Sequence, residues 1–288
     1  MRVLFATDGS DHSARARDLL ARLAHPERTE VVAMSVNGFE TAMRKAQREG
    51  HFSTEEARAA AQAAADGACE ALRDAGLSHV EARVEDGDEA TEIVHAADTE
   101  DFGLVVVGAG KERWLDTVVL GSVSGSVVHG TSCPVLVVHR VTEDERARRV
   151  VVGADGSEGS HHAISAFAGL ADPERVEVTV VTAAQPLALP PGGPAGGELA
   201  AAEVDDEELR SGNRYADEAA TALRDAGFRV ETEVVAGSPA TVLLEQVERR
   251  EADLVVVGAR GLGRFRAKVL GSVSDRVMRH APATLVGR

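Results

Sequence analysis

The chain has almost no cysteine, few aromatic rings, no basic excess and no long apolar run. Its two cysteines, Cys69 and Cys133, are far apart and form neither a CxxC pair nor a Cys/His ligand pattern. Both read as reduced, small apolar residues, which suits a cytoplasmic protein. Aromatic residues make up only 3% of the chain, so the core has to be built from Val, Leu, Ala and Ile. That favours parallel α/β packing over an aromatic-rich sandwich. Acidic residues outnumber basic ones 47 to 31, for a formal net charge of -16. This balance speaks against non-specific nucleic-acid or anionic-membrane binding. No apolar segment approaches the ~20 residues that span a bilayer. The opening MRVLFATDGS enters a strand at once, without the apolar core and cleavage site of a secretory signal. The expectation is a cytoplasmic location, with neither a membrane nor a nucleic acid as partner.

What the chain does have is a repeat. LVVVGA occurs at Leu104 and Leu254, LGSVS at Leu120 and Leu270, and ALRDAG at Ala71 and Ala222. Near the start of each half, an apolar run leads into Asp-Gly-Ser, at Asp8–Ser10 and Asp155–Ser157. Three words in the same order at a nearly constant offset indicate a duplicated domain. The predicted domains are 1–140 and 150–288. Residues 141–149, at the end of the charged stretch HRVTEDERARR, form the linker between them.

Within each half, short Val-rich runs alternate with helical patterns. In the first, strands are expected at Val3–Thr7, Val31–Val36, Val80–Val84, Leu104–Val107 and Val135–Val138. Helices are expected at Ser13–Ala24, Thr54–Asp74, Glu89–Ala97 and Val123–Val128, and the second half repeats the plan. The fold class is therefore α/β: two tandem doubly wound domains, each a five-stranded, mostly parallel sheet with helices on both faces. Ligands of such sheets sit at the carboxyl ends of the strands, where the strand order reverses. One insertion breaks the symmetry: Pro186 to Gly197, PLALPPGGPAGG, follows the second strand of the second half. It reads as a flexible crossover loop or a lid.

The most informative stretch is Leu254 to Ser274, LVVVGARGLGRFRAKVLGSVS. A buried strand ends at Gly258, Gly261 follows three residues later, and Gly271-Ser272 opens a helix after nine more. This layout brings free main-chain N–H groups and the positive end of a helix dipole to the sheet's carboxyl edge. The glycines allow close approach and positive φ, and Ser272 or Ser274 would cap the helix. Arg260, Arg264, Arg266 and Lys268 make the loop basic, with no acid between Ala259 and Leu270. The arrangement reads as a phosphate cradle; the alternative is a solvated loop whose glycines only make turns.

These features together resemble the universal stress protein family in its tandem form. The match rests on strand-Asp-Gly-Ser in each half, the Gly-x-x-Gly then Gly-Ser spacing, and a GSVS helix before a Pro-preceded strand. The resemblance implies ATP as ligand, with its triphosphate along the glycine loop and adenine near the first two strands. A Mg or Mn ion would bridge the phosphates. In the second half the implied binding residues are Ala154, Asp155, Ala183, Val257, Gly258, Arg260, Gly261, Gly271, Ser272, Val273 and Ser274. In the first half they are Thr7, Asp8, Val36, Gly108, Gly121, Ser122, Val123 and Ser124. Lys111 replaces the second glycine there, and its loop balances Lys111 and Arg113 against Glu112 and Asp116. Tighter binding is expected in the second half. The family also implies pairing of the domains through their last strands, Val135–Val138 and Thr284–Val286, and leaves a further homodimer open.

No catalytic or metal site is expected. Gly108-Ala-Gly-Lys111 lacks P-loop spacing, His161-His162 have no spaced ligand partner, and no Ser/His/Asp set assembles. Asp8 and Asp155 also suit plain structural roles at helix starts. The reading is an ATP-binding regulatory stress-response protein with an unidentified protein partner. Its alternatives are a slow ATPase or autophosphorylating enzyme, and an interaction scaffold with vestigial sites.

Overall fold

The computed structural model of the chain describes residues 1–38, 54–110, 120–141, 148–185, 206–261 and 270–288. The insertion at 186–197, Lys111 and its charged neighbours, and Arg264, Arg266 and Lys268 lie outside the described residues. The first half runs β1 (Arg2–Ala6), α1 (Asp11–Leu23), β2 (Glu30–Asn37), α2 (Thr54–Asp74), β3 (His79–Asp86), α3 (Glu89–Thr99), β4 (Leu104–Gly108), α4 (Ser122–Gly130) and β5 (Val135–Val138). The second runs β6 (Arg148–Gly153), α5 (Glu158–Leu170), β7 (Val176–Ala184), α6 (Asp206–Asp225), β8 (Val230–Ala236), α7 (Pro239–Arg250), β9 (Leu254–Gly258), α8 (Ser272–His280) and β10 (Ala283–Gly287).

The strands form one ten-stranded sheet, ordered β3-β2-β1-β4-β5-β10-β9-β6-β7-β8. Each half is parallel within itself, and order reverses between β1 and β4 and again between β6 and β9. The halves meet where β5 pairs antiparallel with β10, from Ala283 opposite Val138 to Val286 opposite Val135. The expected pairing of last strands is thus made within the chain. A second seam lies at the ends of α1 and α5, where Ala24 bridges Ala171 and Asp172 N donates to Leu23 O at 2.8 Å.

Alternation along the Val-rich strands gives the sheet two apolar faces, as a sheet covered by helices on both sides requires. Phe5, Val106, Val152 and Leu285 face the layer of α1, α2, α5 and α6, against Leu20, Leu72, Phe167 and Leu223. Leu4, Val105, Val255 and Val286 face the other layer, against Ile93, Val128, Val247 and Met278. In α2, Ala61, Ala65, Ala68, Cys69 and Leu72 recur at helical spacing and are buried. With alanine on that stripe the helix can lie close to the sheet.

Arg148 and Arg149, read from sequence as the end of the linker, belong to β6. A charge-rich segment gives no apolar pattern, yet Arg148 is buried because Asp253 at the start of β9 faces it, Nη1 to Oδ1 at 3.3 Å.

Burial first, then the nearby Asp98 charge, pushes the Cys133 thiol up to about 12, and burial raises Cys69 as well. A thiol held protonated is a poor nucleophile. Iodoacetamide at neutral pH should therefore leave the folded chain unmodified by intact mass, and alkylate both cysteines once it is denatured. Rapid native alkylation of Cys133 would contradict the buried placement.

Candidate functional site

The second half's strand ends and helix starts enclose a cavity of about 690 Å³. That lies within the ~300–1,000 Å³ usual for small-molecule sites. All eleven second-half residues singled out from sequence line it: Ala154 and Asp155 after β6, Ala183 in β7, Val257 through Gly261 (without Ala259) at β9, and Gly271 through Ser274 at α8. The first-half positions occupy the matching places: Thr7 and Asp8 after β1, Val36 in β2, Gly108 ending β4, and Gly121 through Ser124 at α4.

Sequence reasoning missed the wall contributed by α6, where Gly212 and Tyr215 face the cavity, and the apolar contacts from Pro239 and Leu243 of α7. One signal was available. Tyr215 is the chain's single tyrosine, and aligning the two ALRDAG words places it opposite Ala64. The Tyr215 ring packs on Gly156: a Cβ there would lie 2.3 Å from Cε1.

The local geometry corrects several expectations. Positive φ does not occur at Gly258, Gly261 or Gly271. It occurs at Gly9 (72°) and Gly156 (71°), inside the two Asp-Gly-Ser turns. Gly258 is required by packing, since a Cβ would lie 2.6 Å from Ser160 N at the start of α5; Gly108 meets α1 in the same way. Neither serine caps α8. Gly271 is the N-cap and makes no side-chain bond. The buried Ser274 hydroxyl instead faces Ala259 O at 2.8 Å and Gly271 O at 3.0 Å, stapling the loop to the helix.

The Asp-Gly-Ser turns show a shared construction. Asp155 Oδ1 accepts from Ser157 N at 3.0 Å and Ser157 Oγ at 2.6 Å. Ser157 in turn caps α5 through Ser160 N. Asp8 braces Ser10 likewise. Burial pushes the Asp8 carboxyl upward, but hydrogen bonds from Ser10 and Ser13 outweigh it and hold the group below its ordinary value. Tied by Oδ1, Asp155 turns Oδ2 towards Gly261, where a Cβ would lie 2.8 Å from it.

One end of the cavity is therefore polar. The first helical bond of α8 runs from Asp275 N to Gly271 O at 3.0 Å. The N–H groups of Ser272, Val273 and Ser274 are left without an intrahelical acceptor, at the positive end of the helix dipole. The other end has an apolar wall of Val181, Ala183, Pro239 and Leu243, with Gln185 and Glu208 at its rim. Such a site suits a flat apolar ring bearing an anionic tail. Among the described residues no group of three or more His, Cys, Asp or Glu could hold a metal ion.

The Universal stress protein family model matches residues 1–139 and 146–286. The chain belongs to the universal stress protein family. A universal stress protein of Mycolicibacterium smegmatis is 35% identical over 184 residues, 62% of this chain and 58% of that protein. Universal stress protein Rv2623 of Mycobacterium tuberculosis is 30% identical over 196 residues, 65% of this chain and 62% of the relative. The matched region thus spans about three fifths of these relatives' own length. A solved universal stress protein from Archaeoglobus fulgidus has the same fold across 100% of this chain and 98% of its own, with TM-score 0.66 and 20% identity. No helix among the described residues of this universal stress protein is long and apolar enough to cross a membrane.

Proposed function

We propose that the chain is an ATP-binding regulatory protein of the stress response, with its nucleotide in the second-half cavity. The observation that carries this reading is the convergence of the eleven sequence-chosen residues on one cavity, closed at its polar end by a helix N-terminus. The triphosphate would lie against the N–H groups of Ser272 and Val273 and beside Arg260, with the ribose near Asp155 Oδ2. The base would sit between Ala183 and the α7 side chains. A Mg or Mn ion would travel with the phosphates, as Mg does when few carboxylates are offered. Bound nucleotide would favour one arrangement of the loops, and a protein partner would read it.

The first half is the weaker candidate. Ala64 stands where Tyr215 walls the second cavity. The Glu89 carboxylate lies against Gly38, and the His12 ring stands 3.0 Å from where a Cβ on Gly110 would be. Glu89 and His12 stand there at the helix-start positions that Pro239 and Gly159 hold in the second half.

Protein purified without added nucleotide should release ATP on denaturation, seen by mass spectrometry at about one per chain. Stripped protein should regain one equivalent in calorimetry. Absence of both retained nucleotide and heat at millimolar ATP would overturn the reading.

A further inference from the structure

A guanidinium outside the cavity lining stands beside its polar end. Gly287 of β10 is in register with Gly258 of β9, and its carbonyl accepts from Ala259 N at 2.7 Å. Arg288 therefore lies next to the first turn of the glycine loop. His162 Nδ1 on α5 pairs with its main-chain oxygen, fixing the backbone there. Strand alternation puts the Arg288 side chain on the same face as Val286, the face covered by α8.

Two donors on this side chain are unused. Arg288 Nε and Nη2 are buried and have no hydrogen-bond partner among the described residues. A buried donor without an acceptor is costly, and in a native protein it asks for an explanation. Burial, and then the charge of Arg260 in the cavity wall, lower the Arg288 pKa, while Asp98 of the first half opposes them. Asp98 Oδ1 is itself already shared by the Thr131 hydroxyl and by the amide and hydroxyl of Ser132. Two guanidiniums thus lie within each other's field, one of them with two idle donors.

We propose that Arg288 is a further ligand of the second-half site, its Nε and Nη2 donors binding the distal phosphate of the nucleotide. Arginine presents such donors as a planar fork that matches two phosphate oxygens. The inference rests on the nucleotide reading above and adds selectivity to it. The α8 N-terminus holds the phosphates near the ribose, and only a chain of two or three phosphates extends to Arg288. The site should therefore rank ATP above AMP. Because Arg288 follows the strand that pairs with β5, the same contact ties ligand binding to the seam between the halves.

Calorimetry of the whole chain with ATP, AMP and tripolyphosphate tests this. Arg288→Gln should weaken ATP and tripolyphosphate about tenfold or more and leave AMP within about twofold. Arg288→Lys should recover part of the loss. Equal weakening of ATP and AMP, or no change for either, overturns the proposal, and thermal melting of the variants shows whether the seam has loosened. If wild-type protein binds tripolyphosphate but not ATP, and Arg288→Gln abolishes that binding, the nucleotide reading fails and the Arg288 assignment stands. If neither ligand binds, both fall.

Discussion

Asp253→Ala should lower the unfolding free energy by about 3 kcal/mol, read as a fall in the urea midpoint at unchanged slope. Asp253 and Arg148 are each only 3% exposed, and their charges face one another in the interior. The carboxylate also accepts from Arg149 N at 2.9 Å through Oδ2, and Asp253 N donates to Arg149 O at 2.8 Å. One residue thus fixes the start of β9 against the start of β6. Removing it takes the carboxylate away from a buried guanidinium and from a main-chain donor at once. The solvent-facing pair Arg83–Glu85, with side chains 30% and 35% exposed, offers the contrast. Its loss should cost at most about 1 kcal/mol, because water already screens it. Asp253→Asn keeps a neutral acceptor for Arg149 N and should fall between. The double variant Arg148→Met/Asp253→Leu should recover part of the stability, since it leaves no unpaired charge but still strips Arg149 N of its acceptor. A single variant that loses under ~0.5 kcal/mol would show that the pair does not organise this edge.

That pair also marks where sequence reasoning stopped. Arg148 and Asp253 are about 100 positions apart, and neither stands in an apolar pattern; only the pairing of β6 with β9 brings them together. The elements themselves were legible because valine-rich runs and alanine-rich helices leave strong periods. Thr54–Asp74 and Val135–Val138 fall where the periods place them, and among the described residues the other ends stay within two residues of their expected places. The duplication was legible for a different reason: three identical words need no physical model. The glycines taught less than they promised. A glycine at the end of a strand has at least three physical causes, and composition does not separate them. Gly156 is there for its left-handed φ, Gly258 for the approach of α5, and Gly261 for open space beside a carboxylate. Gly212 and Tyr215 on α6 were hidden because a helix shows which stripe it buries, not which of its edge residues overhang a cavity.

Those separate causes decide which glycine tests the cavity. Gly258→Val would drive a side chain into the main chain at Gly159 and Ser160, so folding and binding would fail together, and Gly271→Val would press on the Ala259 carbonyl that Gly271 N itself binds. Gly261 is exposed, its backbone does not require the left-handed region, and among the described residues a Cβ there meets Asp155 Oδ2 at 2.8 Å. Gly261→Val should therefore weaken ATP roughly 100-fold or more, equivalent to about 2.7 kcal/mol. Its melting temperature should move by less than about 2 °C, as for a surface change. The loss has two sources: the side chain occupies ligand space, and it displaces the carboxylate that Ser157 holds in place. Gly261→Lys repeats the residue that the first half carries at Lys111, and sets crowding against added charge. If crowding dominates, Lys weakens ATP as Val does, which would extend to Lys111 and favour the second half as the proposed site. If Lys retains ATP while Val loses it, an ammonium is an acceptable substitute, and Lys111 is no obstacle to nucleotide in the first half.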